Sequence, residues 1–412
     1  MKAVVFTLGC KVNECESDSL IRGLTDLGYE VSDKLEYADL YIVNTCAVTA
    51  EAEKKSRQTV SRIAAINPDA RIIFTGCATQ NNPDAFRGKN NVSVITGSFN
   101  KLKILELLDK EGEYVSACPE EFEELPLVKS LKTRGFIKVQ DGCNNFCSYC
   151  LIPYLRGRER SRSPESIKTE LAECGYKETV INGINLSAYN YKGTRLAGLL
   201  KELKTEDTRI RLGSLEVGVI TDEFLSAAKN LKNFAPHFHL SLQSGSDAVL
   251  KKMNRKYSTA EFLAAVEKIR ECFPYAGITT DIIAGFPTET EENFAETLAF
   301  IDKVRFSDIH AFPYSPRKGT AAFKLKDLPK SVKKARLSLL LEKKKELKSA
   351  FVKKNIGKIA DFLPEEENEG LVEGYSENYI RLYVKGVKAV GGIIKVKIIE
   401  EHGDGALAEP IK

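Results

Sequence analysis

The sequence predicts an α/β protein in three parts: an amino-terminal open parallel α/β sheet, a central partial barrel of six β/α units, and a small all-β barrel at the carboxyl end. Three observations carry this. Apolar β-branched runs alternate with amphipathic stretches through residues 1–112. The same alternation returns over residues 134–325, where six strand candidates can be read. Beyond residue 355 it stops, and short β-branched runs broken by glycine replace it.

The totals agree. The chain has 412 residues, 43% hydrophobic and 29% charged, which excludes global disorder and supplies several cores. No stretch approaches about 18 uninterrupted apolar residues, so no membrane span is expected. The opening Met1–Cys10 reads as a strand rather than a signal peptide, and the cytoplasm is the expected compartment. Net charge is only +4, from 61 Lys and Arg against 57 Asp and Glu.

In residues 1–112 the strands fall at 2–8, 39–45, 71–76 and 92–97, with helices near 14–28, 49–66 and 101–110. Cys10, Cys46 and Cys77 each follow a strand directly. Open α/β sheets bind ligands outside the carboxyl ends of their strands, so the register would bring these three thiols together as a metal site. The plainer alternative is three independent buried cysteines. Cys15, Cys118, Cys174 and Cys272 lack such placement and read as ordinary residues.

Residues 113–133 read as a linker, where glutamates surround Pro119 and Pro126 with little periodicity. The barrel strands follow at 135–141, 179–184, 209–215, 237–243, 277–283 and 307–313. Helical patterns at 164–174, 221–230, 258–271 and 290–304 lie between them. The segments after these strands share one rim, the functional face of parallel barrels. They include Gly183, Ser214 with Glu216, Gly285 with Phe286, and Tyr314. Taken singly, each is first of all a turn.

The first of these segments is the most specific. Ten cysteines in a chain with no export signal are expected to be reduced thiols. Cys143, Cys147 and Cys150 form C-x3-C-x2-C, and all four histidines lie far away in sequence. Zinc sites usually take four ligands. Three thiolates without an evident fourth point to an iron–sulfur cubane with one iron open to substrate or cofactor.

Residues 326–354 read as a basic helix, with ten Lys and Arg against two Glu over 330–354. Residues 355–412 read as a five-stranded module of the oligonucleotide-binding type. Together they suggest an RNA grip; the plainer alternatives are a solvated helix face and a structural cap.

These motifs resemble the radical S-adenosylmethionine (SAM) superfamily, through the triplet and Tyr149, which precedes its last cysteine. The run Cys150–Arg162 is similar to the methylthiotransferase branch, as are Leu240–Ser246, Met253–Tyr257 and Thr280–Thr290. Within that branch, Thr7–Asn13 with Glu16 and Ser17, and His310–Ala321, resemble the MtaB type. The resemblance implies a radical SAM barrel, a carboxyl-terminal TRAM domain and two [4Fe–4S] clusters, on Cys143, Cys147 and Cys150 and on Cys10, Cys46 and Cys77. It implies S-adenosylmethionine held near Tyr149, Gly183, Ser214, Glu216, Gly285 and Phe286. It further implies methylthiolation at C2 of N6-threonylcarbamoyladenosine in a tRNA anticodon stem-loop. The implied partners are a low-potential donor of flavodoxin or ferredoxin type and a sulfur donor. Asn182-Gly183-Ile184 departs from the superfamily's Gly-Gly-Glu, so the group holding the methionine ammonium stays unassigned. Three other readings stand beside this one: action on isopentenyladenosine tRNA, action on a ribosomal protein, and a non-catalytic iron–sulfur electron carrier with an RNA tail.

Overall fold

The computed structural model describes residues 1–125, 133–389 and 391–411; part of the expected linker, 126–132, lies outside the described residues. The amino-terminal sheet has six parallel strands. In spatial order these are Glu30–Ser32, Lys2–Thr7, Leu40–Thr45, Arg71–Gly76, Val92–Thr96 and Gly112–Tyr114. The chain reverses its direction of winding between Lys2–Thr7 and Leu40–Thr45, the switch point where doubly wound sheets open a crevice. The central strand Leu40–Thr45 is buried throughout, as its unbroken apolar run requires. Two three-residue edge strands, Glu30–Ser32 and Gly112–Tyr114, were not expected from the sequence. The expected helix at 101–110 is a tighter 3-10 turn over Lys101–Glu106.

The barrel strands are Arg134–Asp141, Glu178–Gly183, Arg209–Leu212, His237–His239, Gly277–Ala284 and Asp308–Pro313. All run parallel, joined as two half-sheets through the bridges Ile210–Phe234 and Leu215–Leu240. No pairing joins the first strand to the last among the described residues, so the barrel is open. The amino-terminal part closes this gap. Its helix Lys11–Asp26 packs on the first barrel strand. Its helix Ala50–Ile66 reaches the segment after the last strand, where Glu53 pairs with Arg317 and Ala50 N–H donates to Ser315 Oγ at 3.0 Å.

The small barrel is closed and five-stranded, built from Ile359–Asn368, Leu371–Tyr375, Arg381–Val384, Ile394–His402 and Gly405–Pro410. It docks under the amino-terminal ends of the large barrel's strands, opposite the rim. Arg209 and Arg211 donate to the carbonyls of Asp361, Ser376 and Glu377, and Tyr379 stacks on His237 with ring centroids 4.4 Å apart.

The helix Lys330–Asn355 is not a free cationic face. Leu340 and Leu347 join the barrel core, and its bases are largely consumed by neighbours. Lys333 is buried and pairs with Asp327, Arg336 with Glu289, Lys343 with Asp302, Lys344 with Asp308, and Lys348 with Asp404. A lysine already paired gains little from a phosphate, so the packed side of this helix is a brace; Lys330, Lys334, Lys345, Lys353 and Lys354 are its exposed lysines.

His237 gives the docked interface a pH dependence. Burial, with Arg211 and Lys11 nearby, pushes its imidazole well below the ordinary 6.5. Below pH 6.5 the unfolded chain therefore binds more protons than the folded one, and stability falls as pH drops. One such group contributes a slope of up to about 1.4 kcal/mol per pH unit. Urea unfolding of His237→Phe between pH 7 and 5 should show a shallower acid limb than the parent; an unchanged slope would remove His237 as its source.

Candidate active site

Two thiol triplets are assembled, one from each large unit. In the amino-terminal sheet Cys10, Cys46 and Cys77 lie just past the ends of Lys2–Thr7, Leu40–Thr45 and Arg71–Gly76, around the switch point. Glycines make the approach possible. Gly9 has φ +115°, and a Cβ there would stand 2.9 Å from Cys46 Cβ. Gly76 has φ +104°, and its Cβ would stand 2.6 Å from the Thr45 carbonyl oxygen. Only glycine combines such φ values with such contacts.

On the barrel rim Cys143, Cys147 and Cys150 follow the first strand. Asn254 ties down their loop, its Nδ2 donating to the carbonyls of Asn145 at 3.2 Å and Phe146 at 3.0 Å. Ser148 N–H donates to Met253 O at 3.0 Å. Each sulfur has an N–H donor: Asn145 N at 3.5 Å from Cys143, Arg255 Nη1 at 3.3 Å from Cys147, and Ile152 N at 3.4 Å from Cys150. Arg255 also pairs with Glu216 at 2.9 Å, and Asn145 Nδ2 donates to the same carboxylate at 2.7 Å.

The triplets are joined by the six residues after Cys150. Leu151 and Leu155 enter the core of the amino-terminal sheet, beside Cys77 and Ala78. Arg156, wholly buried, donates Nε to Cys77 Sγ at 3.3 Å and Nη2 to Asn13 Oδ1 at 2.7 Å, and it pairs with Glu16. Lys101 and Lys138 also reach Glu16, and Lys138 and Arg160 reach Asp141. Burial works against the charged form of Glu16, but Arg156, Lys138 and Lys101 outweigh it and hold its carboxyl far below the usual range.

Burial pushes the Cys10 and Cys143 thiols up. Burial and the neighbouring thiols push Cys46 and Cys150 up to about 12. As free thiols these four hold their protons at neutral pH, and a metal must displace them. Among the described residues no three His, Cys, Asp or Glu side chains converge as a ready-made cage for a single ion. Three mutually interacting thiols with N–H donors aimed at sulfur fit a cysteine-ligated iron–sulfur cluster, whose potential is tuned by such bonds.

The remaining expected residues distribute around the rim. Ser214 is exposed and Glu216 half-buried. Gly183 packs on Gln140, whose Oε1 accepts from Asn185 N–H at 2.8 Å. Tyr149 stacks edge-on against Phe286 at 6.5 Å. Gly285 and Phe286 lie behind it: Gly285 abuts Lys333, and Phe286 is fully buried between Tyr149 and Tyr314. A cleft of about 540 Å³ opens beside the rim, lined by Asn145, Asn185, Glu216 and Tyr257 among others. Arg156 and Arg255, the guanidiniums serving the two triplets, were not singled out in the sequence, although both lie in the family-like runs Cys150–Arg162 and Met253–Tyr257 that could have flagged them.

Comparison with known proteins agrees with this geometry. Residues 137–301 match the Radical SAM superfamily, and residues 2–97 match the family described as "Uncharacterized protein family UPF0004". The chain is 37% identical to the threonylcarbamoyladenosine tRNA methylthiotransferase MtaB of Bacillus subtilis, over 97% of this chain and 94% of that one. It is 41% identical to MtaB of Thermotoga maritima, over 98% and 96%. The tRNA-2-methylthio-N(6)-dimethylallyladenosine synthase of B. subtilis is 35% identical, over 96% and 83%. Among solved structures, the radical SAM methyltransferase TsrM from Kitasatospora setae superposes with a TM-score of 0.54 at 13% identity, over 76% and 74%, a likeness of fold. With near-complete coverage at this identity, the chain belongs to the MtaB family of radical SAM methylthiotransferases.

Proposed function

We propose that this protein adds a methylthio group to C2 of N6-threonylcarbamoyladenosine next to the anticodon of tRNA. The observation that carries the reading is the pair of thiol triplets tied through Arg156, in a chain whose relatives at 37–41% identity bear that activity in their names. Cys143, Cys147 and Cys150 would hold one [4Fe–4S] cluster, and Cys10, Cys46 and Cys77 the other. When bound, these groups supply a low-potential electron for cleaving S-adenosylmethionine and an iron site for the sulfur that is transferred.

The protein's own residues do the rest. Arg255 donates to the Cys147 sulfur and orders Glu216, and Asn145 holds that carboxylate from the other side. The amino-terminal part, seated over the barrel gap, excludes water from the space between the triplets. The target base leaves the anticodon-loop stack to reach that space. A donor of flavodoxin or ferredoxin type and a separate sulfur donor complete the set of partners, and the substrate puts the protein in the cytoplasm. Residues 355–412 serve as the RNA grip.

Nucleoside mass spectrometry of tRNA from a deletion strain tests the reading. N6-threonylcarbamoyladenosine should accumulate while its 2-methylthio derivative disappears and methylthio-isopentenyladenosine is unchanged. Persistence of the first methylthio nucleoside, or loss of the second instead, would defeat it.

A further inference from the structure

Lys11 opens the helix that closes the barrel gap, one residue after Cys10. Its side chain keeps solvent-accessible surface, yet charged groups from four barrel strands surround it: Arg134, Glu178, Arg211 and Asp281. A fifth strand adds His237. Exposed by area yet set beside charged groups of the barrel strands, Lys11 faces the hollow interior of the open barrel. Strand alternation agrees. Ile210, Leu212, Phe238, Ile278, Ile282 and Ile309 face the helices, so Arg211, His239, Asp281 and His310 face inward. Tyr379, stacked on His237, closes the hollow from below.

The arginines of this floor are ion-paired. Glu178 pairs with Arg134, Arg209 and Arg211 at 2.6–2.9 Å. Arg134 also reaches Glu365 at 3.3 Å, and Asp281 Oδ2 meets His239 Nε2 at 3.2 Å. Lys11 makes no hydrogen bond or ion pair among the described residues. Glu377 lies beside Arg209 as well, so carboxylates stand next to every arginine of this floor. Lys11 is the floor cation with no carboxylate at ion-pair distance among the described residues, and it is free to meet an anion that enters from solvent.

We infer that Lys11 selects the substrate base by pairing with the carboxylate of its threonylcarbamoyl group on the floor of this hollow. The inference rests on the function proposed above and adds the residue that discriminates between bases. A threonylcarbamoyl group carries a carboxylate and a hydroxyl. A dimethylallyl group carries neither, and placing it here would leave the ammonium unpaired and dehydrated. A polar site rejects an apolar analogue strongly for this reason.

The test uses anticodon stem-loops bearing N6-threonylcarbamoyladenosine or its threoninamide analogue, in which a neutral carboxamide replaces the carboxylate. The reconstituted parent should favour the carboxylate by about 10- to 100-fold in kcat/KM, the range of a charge-assisted contact. In Lys11→Gln that preference should collapse toward parity, mainly through a raised KM, and Lys11→Arg should restore part of it. Parent enzyme that treats both stem-loops alike would overturn the inference without needing any variant. So would a Lys11→Gln enzyme that keeps the full preference. If the parent methylthiolates neither stem-loop, the proposed function fails instead.

Discussion

Replacing Cys143, Cys147 and Cys150 together by Ala should halve the iron of the anaerobically reconstituted protein, from about eight to about four atoms per chain. It should also remove all cleavage of S-adenosylmethionine. The triplets share no ligand and sit in different units, so one can be deleted without the other. The rim loop survives the change, because Asn254 and Met253 hold it through backbone atoms rather than through sulfur. Colorimetric iron and chromatography of 5′-deoxyadenosine give the readout. A protein that binds zinc in place of iron and remains active would sink the assignment.

The second large effect separates the two triplets. Cys46→Ala should abolish methylthio product while 5′-deoxyadenosine still forms. Changes in the groups around metal ligands already cost about 10–100-fold in affinity or activity, and deleting a ligand costs more. Cys46 is buried beside Gly9, where Ala fits without strain, so the fold should persist. Loss of both products from a folded protein would refute the division of labour between the triplets.

The legible parts of this site are local or strictly periodic. Cys143, Cys147 and Cys150 lie within eight residues, so spacing alone reveals them. Cys10, Cys46 and Cys77 lie far apart, but each ends a readable strand, and parallel register does the rest. Edge strands of three residues carry too little pattern to be seen. Arg156 meets Cys77 across 79 residues and Arg255 meets Cys147 across 108, and no periodicity encodes such pairings. Charge was the most misleading signal. The lysines of Lys330–Asn355 resemble a phosphate-binding face until the carboxylates opposite them are known. Lys11 shows the converse: a lysine inside the type-discriminating run Thr7–Asn13 whose proposed role shows only from the partner it lacks in the fold. The acidic stretch was likewise read as mere spacer, yet Glu123 accepts from the backbone N–H of Lys101 at 2.6 Å, and Glu124 pairs with Arg162 at 2.7 Å.

The buried seam between sheet and barrel also bears on how the enzyme matures and ages. It contains four basic side chains, Lys101, Lys138, Arg156 and Arg160, against two carboxylates, Glu16 and Asp141. Glu123 beside Lys101 offsets part of this charge, and thiolates of Cys10, Cys46 and Cys77 would offset the rest if the triplet holds metal. Loading that triplet and latching the sheet onto the barrel are then two faces of one equilibrium, each favouring the other. Assembly factors that deliver iron would act as folding factors for this joint. Oxidative stripping of the same triplet would unlatch it, so a damaged molecule would present its seam to proteases before the rest of the fold gives way.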